Sequence, residues 1–123
     1  MGLGTKIQFL GWCDNLPDIM KSCDLFLLPH VERPKEGLGL VLLEAQLASL
    51  PLLISTGIAK DPILPWSHYS RLSLNEGTDV WVKKGFKLMQ QEKLETDFVL
   101  NKYKNSPFDM GFAIKDLLTN IYS

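Results

Sequence analysis

Between Pro29 and Glu44 the chain reads PHVERPKEGLGLVLLE. Glu36 stands just before Gly37 and Gly39, and Glu44 lies eight positions further on, inside a run that is otherwise aliphatic. The first turn of a helix carries unpaired backbone N–H groups and a partial positive charge, so a helix opening here would suit a phosphate. Glycines at 37 and 39 let a ligand come close to the backbone. On a helix, Glu44 has Leu40, Val41, Leu47 and Ala48 as its neighbours. A carboxylate in that setting must reach solvent at an edge or meet hydrogen-bond donors, because burying it unpaired is costly. Sugar hydroxyls are donors of this kind. In a continuous helix the two carboxylates would lie roughly 12 Å apart along the axis, about the reach from a ribose across a pyrophosphate to an attached sugar. The pattern therefore fits two hydroxyl-binding carboxylates with a phosphate-binding helix start between them. It also fits a solvated loop charge at Glu36, favoured near a helix N-terminus, and an exposed helix edge at Glu44.

Positioning these residues requires a strand before them and a helix through them. DLFLLP (24–29) is a continuous apolar run stopped by proline, as in a strand buried on both faces. Residues 38–49 form the apolar helix, Pro51 ends it, and LLIS (52–55) is a second buried strand. Upstream, KIQFL (6–10) alternates polar and apolar up to Gly11 and reads as a strand. DNLPDIMKSC (14–23) carries an Asp or Asn cap and Pro17 in the first turn, both helix-start signals. A weaker strand is predicted over 70–74. From 78 to about 91, Val82, Phe86 and Met89 recur at helical spacing with Trp81 and Leu88 beside them, predicting an amphipathic helix. A short helix is expected over 97–103, and Ile114, Leu117, Leu118 and Ile121 mark a last one. Alternating strands and helices predict an α/β fold with an open parallel sheet of about four strands and flanking helices. Ligands in such sheets sit at the carboxyl ends of the strands. That edge is where residues 36–40 fall.

Composition narrows the partners. The 123 residues are 46% hydrophobic and 22% charged, with a net charge of -1 and a pI near 6.1. That balance gives no electrostatic reason to expect nucleic acid or an anionic membrane. Cys13 and Cys23 have neither a CxxC spacing nor a histidine cluster and read as reduced thiols with no metal role. No apolar run reaches the roughly 18–20 residues of a membrane span, and no secretion signal opens the chain, so a soluble, cytoplasmic protein is expected. One domain is expected over 1–123, with a strand and helix core over about 1–75 and helices over about 76–123.

EGLGLVLLEAQLASLPLLIS resembles the donor-binding motif of retaining GT-B-fold glycosyltransferases, the glycosyltransferase family 4 or group 1 that includes many capsule and exopolysaccharide enzymes. Their pattern is a Glu, seven residues, a Glu followed by Ala, then a helix ending before a proline and a short apolar strand. IQFLGWCDNLPDIMKSCDLFLLP, RLSL with the Trp-containing helix after it, and FDMGFAIKDLLTNIY also resemble the family, so the likeness covers nearly the whole chain. The resemblance implies an incomplete C-terminal Rossmann-like domain of such an enzyme. Its substrate would be a nucleotide diphosphate sugar, transferred with retention to a glycan or lipid-linked acceptor, with no cofactor and no metal. Glu36 would position and polarise the donor sugar. Backbone amides around Gly37, Leu38, Gly39 and Leu40 would meet the sugar and pyrophosphate, and Glu44 would accept from the ribose hydroxyls. An enzyme of this kind would work in the cytoplasm, at the inner face of the cell membrane where it is peripheral.

Several residues depart from the pattern. His30 stands where a serine is usual and is expected to be a loop residue near the phosphates. The loop HVERPK is longer than the common form, and its Arg33 and Lys35 are expected to be solvated. Ser49 occupies a position at the helix end where glycine is preferred. The family's Arg and Lys phosphate clamp, base-binding loop and acceptor domain precede a point equivalent to residue 1, so Met1 is expected to be a truncated start and the chain inactive alone. A stand-alone binding or interaction module, or part of a nucleotide-sugar epimerase, are the alternatives. Residues 6–10, 25–29, 52–55 and 71–74 would be the third to sixth strands of the order 3-2-1-4-5-6. With strands one and two lacking, 6–10 is expected to pair directly with 25–29, giving a monomer; the alternative is a strand-paired dimer.

Overall fold

Pro51 and the four aliphatic or small residues after it define the centre of the fold. The computed structural model describes residues 2–32 and 39–104. In it β2 (Leu52–Ser55) is buried along its whole length. It pairs in parallel on one side with β1 (Phe26–Leu28) and on the other with β3 (Tyr69–Leu72), giving a sheet ordered β1-β2-β3. Phe26 lies opposite Leu52 and Leu28 opposite Ile54, while Leu27 and Leu53 share the other face.

The two faces are covered differently. Against Leu52 and Ile54 pack α1 (Leu16–Lys21) through Met20 and α2 (Gly39–Leu47) through Leu42 and Ala45, together with Leu50 and Ile58. Each fully buried leucine or isoleucine here (Leu42, Leu52, Ile54, Ile58) contributes about 1.5–3 kcal/mol of transfer free energy. Helix α4 (Thr96–Lys104) lies against α2 and buries Val99. On the other face sits α3 (Thr78–Met89), whose buried residues are Gly85 and Leu88. An added Cβ on Gly85 would lie 3.4 Å from Leu25 and Leu53, so the glycine sets how closely α3 approaches the sheet.

The ends of α2 explain its length. Ser49 takes a left-handed backbone (φ 63), its N–H donates to the Gln46 carbonyl and the Leu50 N–H donates to the Ala45 carbonyl. This double return is the Schellman stop, and buried Leu50 supplies its apolar contact. The crossover from β2 to β3, residues 56–68, contains no helix. It nonetheless buries Ile58 and Leu64. Its polar backbone must therefore find partners inside the protein.

Three expectations are corrected. Residues 6–10 form no strand: a turn from the Leu3 carbonyl to the Lys6 and Ile7 N–H groups leads into an irregular, exposed segment. The sheet accordingly has three strands rather than four among the described residues. The direct pairing of 6–10 with 25–29 does not form either, since among the described residues β1 is bonded to β2 alone. Alternating side chains set the faces of a strand, but only a neighbouring backbone holds one in place. The helix over 14–23 shortens to Leu16–Lys21; Pro17 stands in its first turn and Asn15 at its N-cap makes no side-chain cap bond. The helix expected around Ile114–Ile121 lies outside the described residues, as does the 33–38 stretch with Arg33 and Lys35.

Candidate functional site

At the carboxyl edge of the sheet the chain leaves β1 through Pro29 and His30 and leaves β2 through Ser55, Thr56 and Gly57. These two exits are clamped together. The Ser55 hydroxyl accepts from the His30 N–H at 2.7 Å and donates to the His30 carbonyl at 2.5 Å, with the serine fully buried. Thr56 Oγ1 donates to the Glu32 carboxylate. Gly57 lies under this loop so closely that an added Cβ would stand 2.1 Å from the Val31 carbonyl oxygen and 2.6 Å from that of His30. No side chain fits there. From β3, Arg71 donates through Nε to the Ile58 carbonyl at 3.0 Å and through Nη2 to the Thr56 carbonyl at 2.8 Å. The edge is a backbone platform tied by side chains of all three strands or their exits.

Because β1 and β2 are parallel, α2 starts at this edge and runs back across the sheet. In its first turn Leu40 is 79% accessible while Leu42 is fully buried. One turn on, Glu44 is exposed as well, so the two share a stripe on the outer side of the helix. Glu44 lines a pocket of about 220 Å³ with Pro17 and Lys21 of α1, Ala48, and Thr96 and Leu100 of α4. An open carboxylate in a mostly apolar pocket can accept hydrogen bonds from hydroxyl groups of a ligand. Of the expected site residues, Gly39, Leu40 and Glu44 are on α2 as the sequence suggested. Glu36, Gly37 and Leu38, and with them the separation of the two carboxylates, lie outside the described residues. His30 is half-buried, with Nδ1 2.7 Å from the Val31 carbonyl oxygen, in the clamped loop.

Sequence reasoning overlooked Gln46. It is 2% exposed, and its amide meets four partners. Nε2 donates to the carbonyls of Leu42 and Pro62, both at 2.9 Å, while Oε1 accepts from the Leu64 N–H at 2.7 Å and the Ser67 hydroxyl at 2.5 Å. Gln46 thereby supplies the partners that the helix-free crossover needs. Its position was a signal: Leu42, Ala45 and Gln46 recur at i, i+3 and i+4, the buried stripe of α2. Glu44 falls off that stripe. Gly57, one residue beyond the strand end, was a second signal.

Comparison with known proteins adds an independent line. The family model described as "Glycosyl transferases group 1" matches residues 1–63. The chain is 28% identical over 119 residues to a protein named as glycosyltransferase EpsF of Bacillus subtilis (strain 168), across 97% of this chain and 30% of that one. It is 40% identical over 55 residues to the UDP-Gal:alpha-D-GlcNAc-diphosphoundecaprenol alpha-1,3-galactosyltransferase of Escherichia coli, across 45% of this chain and 13% of that one. The chain thus spans less than a third of the length of either relative. No solved structure matches it. Since the match runs through α1, β1, α2 and β2 to the start of the crossover, the chain belongs to the group 1 glycosyltransferases, and its parallel sheet with flanking helices is part of their Rossmann-like GT-B domain.

Proposed function

We propose that the chain carries the nucleotide-sugar-binding edge of a retaining glycosyltransferase and that it binds the donor without completing transfer alone. The donor pyrophosphate lies against the start of α2, met by backbone N–H groups around Gly37, Leu38, Gly39 and Leu40. Glu44 accepts from the ribose hydroxyls, and Glu36 holds the hydroxyls of the donor sugar and aligns it for attack by an acceptor hydroxyl. Meeting the pyrophosphate charge with N–H groups leaves no step that requires a metal. The name of the Escherichia coli relative specifies a UDP-sugar donor and a lipid diphosphate acceptor, which supports a nucleotide-sugar donor and a glycan or lipid-linked acceptor for this chain. In this reading, transfer from a nucleotide donor to such an acceptor takes place at the cytoplasmic face of a membrane, in exopolysaccharide assembly.

The observation that supports this reading is Glu44: an exposed carboxylate at a pocket, one turn beyond a helix start at the clamped carboxyl edge. Titration of the chain with UDP and with a UDP-hexose, followed by amide NMR shifts, tests it. Shifts are expected along α2 and at Ser55–Gly57. A carboxylate–hydroxyl pair is worth about 1.5–3 kcal/mol, so Glu44→Ala should weaken both ligands at least tenfold. Glu36→Ala should remove only the extra affinity of the UDP-hexose over UDP. Shifts confined to the opposite edge of the sheet, or equal affinities for wild type and Glu44→Ala, would overturn the assignment.

A further inference from the structure

Arg71 is the only charged residue in the three strands of the sheet. It lies opposite Ile54 in the parallel register, so its stem starts on the face that carries the main core. Arg71 is half-buried, and among the described residues it makes no ion pair; its guanidinium is bonded to the carbonyls of Thr56 and Ile58. A cation drawn partly out of water without a carboxylate needs fixed dipoles in place of the water it loses. The two carbonyls supply them, and the rigid fork of the guanidinium in return fixes the spacing of the two carbonyls.

Those carbonyls belong to one turn, residues 55–58, closed by the Ile58 N–H donating to the Ser55 carbonyl at 3.1 Å. Three residues of this turn hold the exit of β1. Ser55 binds both backbone groups of His30, and Thr56 binds the Glu32 carboxylate. Gly57 lies directly beneath the carbonyls of His30 and Val31. Residues 30–32 therefore rest on three successive positions, and they stay in place only while the turn keeps its shape. A single internal hydrogen bond fixes a four-residue turn weakly. The fork of Arg71 spans the turn from its second residue to its last, and it comes from a strand that does not touch β1.

We propose that Arg71 is a positioning residue of the donor site, acting through the 55–58 turn on the exit of β1 and not by contact with the donor. This inference rests on the donor-binding reading given above. The exit opens the connection from β1 to α2, whose start faces the donor pyrophosphate in that reading. An exit held in one arrangement before the ligand arrives makes every chain competent to bind. One that wanders lowers the apparent affinity by the fraction of chains in the right arrangement.

Three substitutions separate this role from the other roles an arginine could have here. Arg71→Lys keeps the charge and loses the fork, Arg71→Met keeps the stem and loses both, and Glu44→Ala removes the ribose contact. UDP affinity is measured by titration at a temperature where unfolding curves show each variant folded. Both Arg71 variants should weaken UDP by about fivefold or more. In the free chain both should move the amide shifts of His30–Glu32, which Arg71 does not touch, and saturating UDP should bring those shifts back toward the wild-type complex. Where Arg71→Met fails to fold, Arg71→Lys alone decides. Lower melting temperatures with unchanged UDP affinity overturn the proposal, because Arg71 would then stabilise the fold and nothing more. Wild-type affinity in Arg71→Lys with a loss in Arg71→Met also overturns it, because a charge contact with the phosphates would explain both. If Glu44→Ala weakens UDP and the Arg71 variants do not, this inference falls and the donor reading stands. If the Arg71 variants weaken UDP and Glu44→Ala does not, the ribose role of Glu44 falls and this inference stands. A wild type that binds no UDP overturns both.

Discussion

Replacing Gln46 by leucine removes the four hydrogen bonds described above while nearly conserving volume. The four are not equal. The Leu42 carbonyl keeps its ordinary intrahelical bond, and the half-buried Ser67 hydroxyl can turn to water. The Pro62 carbonyl and the Leu64 N–H are buried and have no such recourse. Each buried group left unpaired costs about 1–3 kcal/mol. The apolar replacement returns part of this, at most the roughly 1.5–3 kcal/mol of a buried leucine. The expected net loss is about 2–3 kcal/mol. With a urea slope of about 1–3 kcal/mol/M, the midpoint should fall by roughly 1–2 M, and the Leu64 amide should exchange faster. Gln46→Glu separates hydrogen bonding from packing. Neutral, the introduced carboxyl can donate to the Pro62 carbonyl and accept from Leu64; ionised, it sets a buried charge against that carbonyl. Its folded-state pKa therefore lies above the unfolded value of about 4.3. As pH rises through that value the unfolded chain releases the proton first, so stability falls until the folded pKa is passed. This variant should approach wild type near pH 4 and lose stability by pH 7, whereas Gln46→Leu should show its deficit at both. A Gln46→Leu loss below about 0.5 kcal/mol would refute the claim that the crossover depends on this amide.

Ser49→Gly should stabilise the chain by about 1 kcal/mol in the same urea assay. It relieves a left-handed backbone that costs an L-residue about 1–2 kcal/mol and removes a buried hydroxyl without a partner, offset by about 0.4–1 kcal/mol of added unfolded-state freedom. A loss of stability would show that the hydroxyl has an unrecognised role. Gly57→Ala should cost about 1–3 kcal/mol, because two backbone carbonyls block the new methyl group, and amide shifts should move at His30–Glu32. Unchanged shifts there would mean that the loop does not rest on Gly57.

How much of this was legible in the sequence depends on the range of the forces involved. Strand β2 appears residue for residue as read, because Pro51 and a short aliphatic run report burial on both faces directly. Helix α3 was equally clear from its period, but not its partner: the stripe at Val82, Phe86 and Met89 faces an open groove, and burial falls on Gly85 and Leu88. Residues 6–10 show the opposite failure. Their alternation is local, whereas the ladder that makes a strand comes from a distant backbone that is not beside them. On α2 the conspicuous residue was Glu44 and the structurally decisive one Gln46. Both are polar residues in an aliphatic helix, and only the phase of the buried stripe distinguishes them. The hydrogen-bonded clamp of Ser55 with His30 joins residues 25 positions apart, a pairing that no local pattern encodes.

The order of the fold is unevenly distributed, and the unevenness separates the two faces of the sheet. The clamp at the carboxyl edge and the Gln46 network stiffen the side of the sheet that carries α2, so Glu44 stands on a framework whose backbone groups are already paired. The opposite face carries α3 and the groove at β1, where apolar surface is still open. Leu27 and Leu53 point to that second face, and Phe26 and Leu28 to the first. A substitution on the second face consequently leaves the pocket at Glu44 untouched. Leu27→Lys is therefore expected to leave UDP affinity within about twofold of wild type, whereas Glu44→Ala should weaken UDP at least tenfold. If Leu27→Lys instead weakened UDP as strongly as Glu44→Ala, the nucleotide would have to be held at the second face, and the assignment of Glu44 would fall.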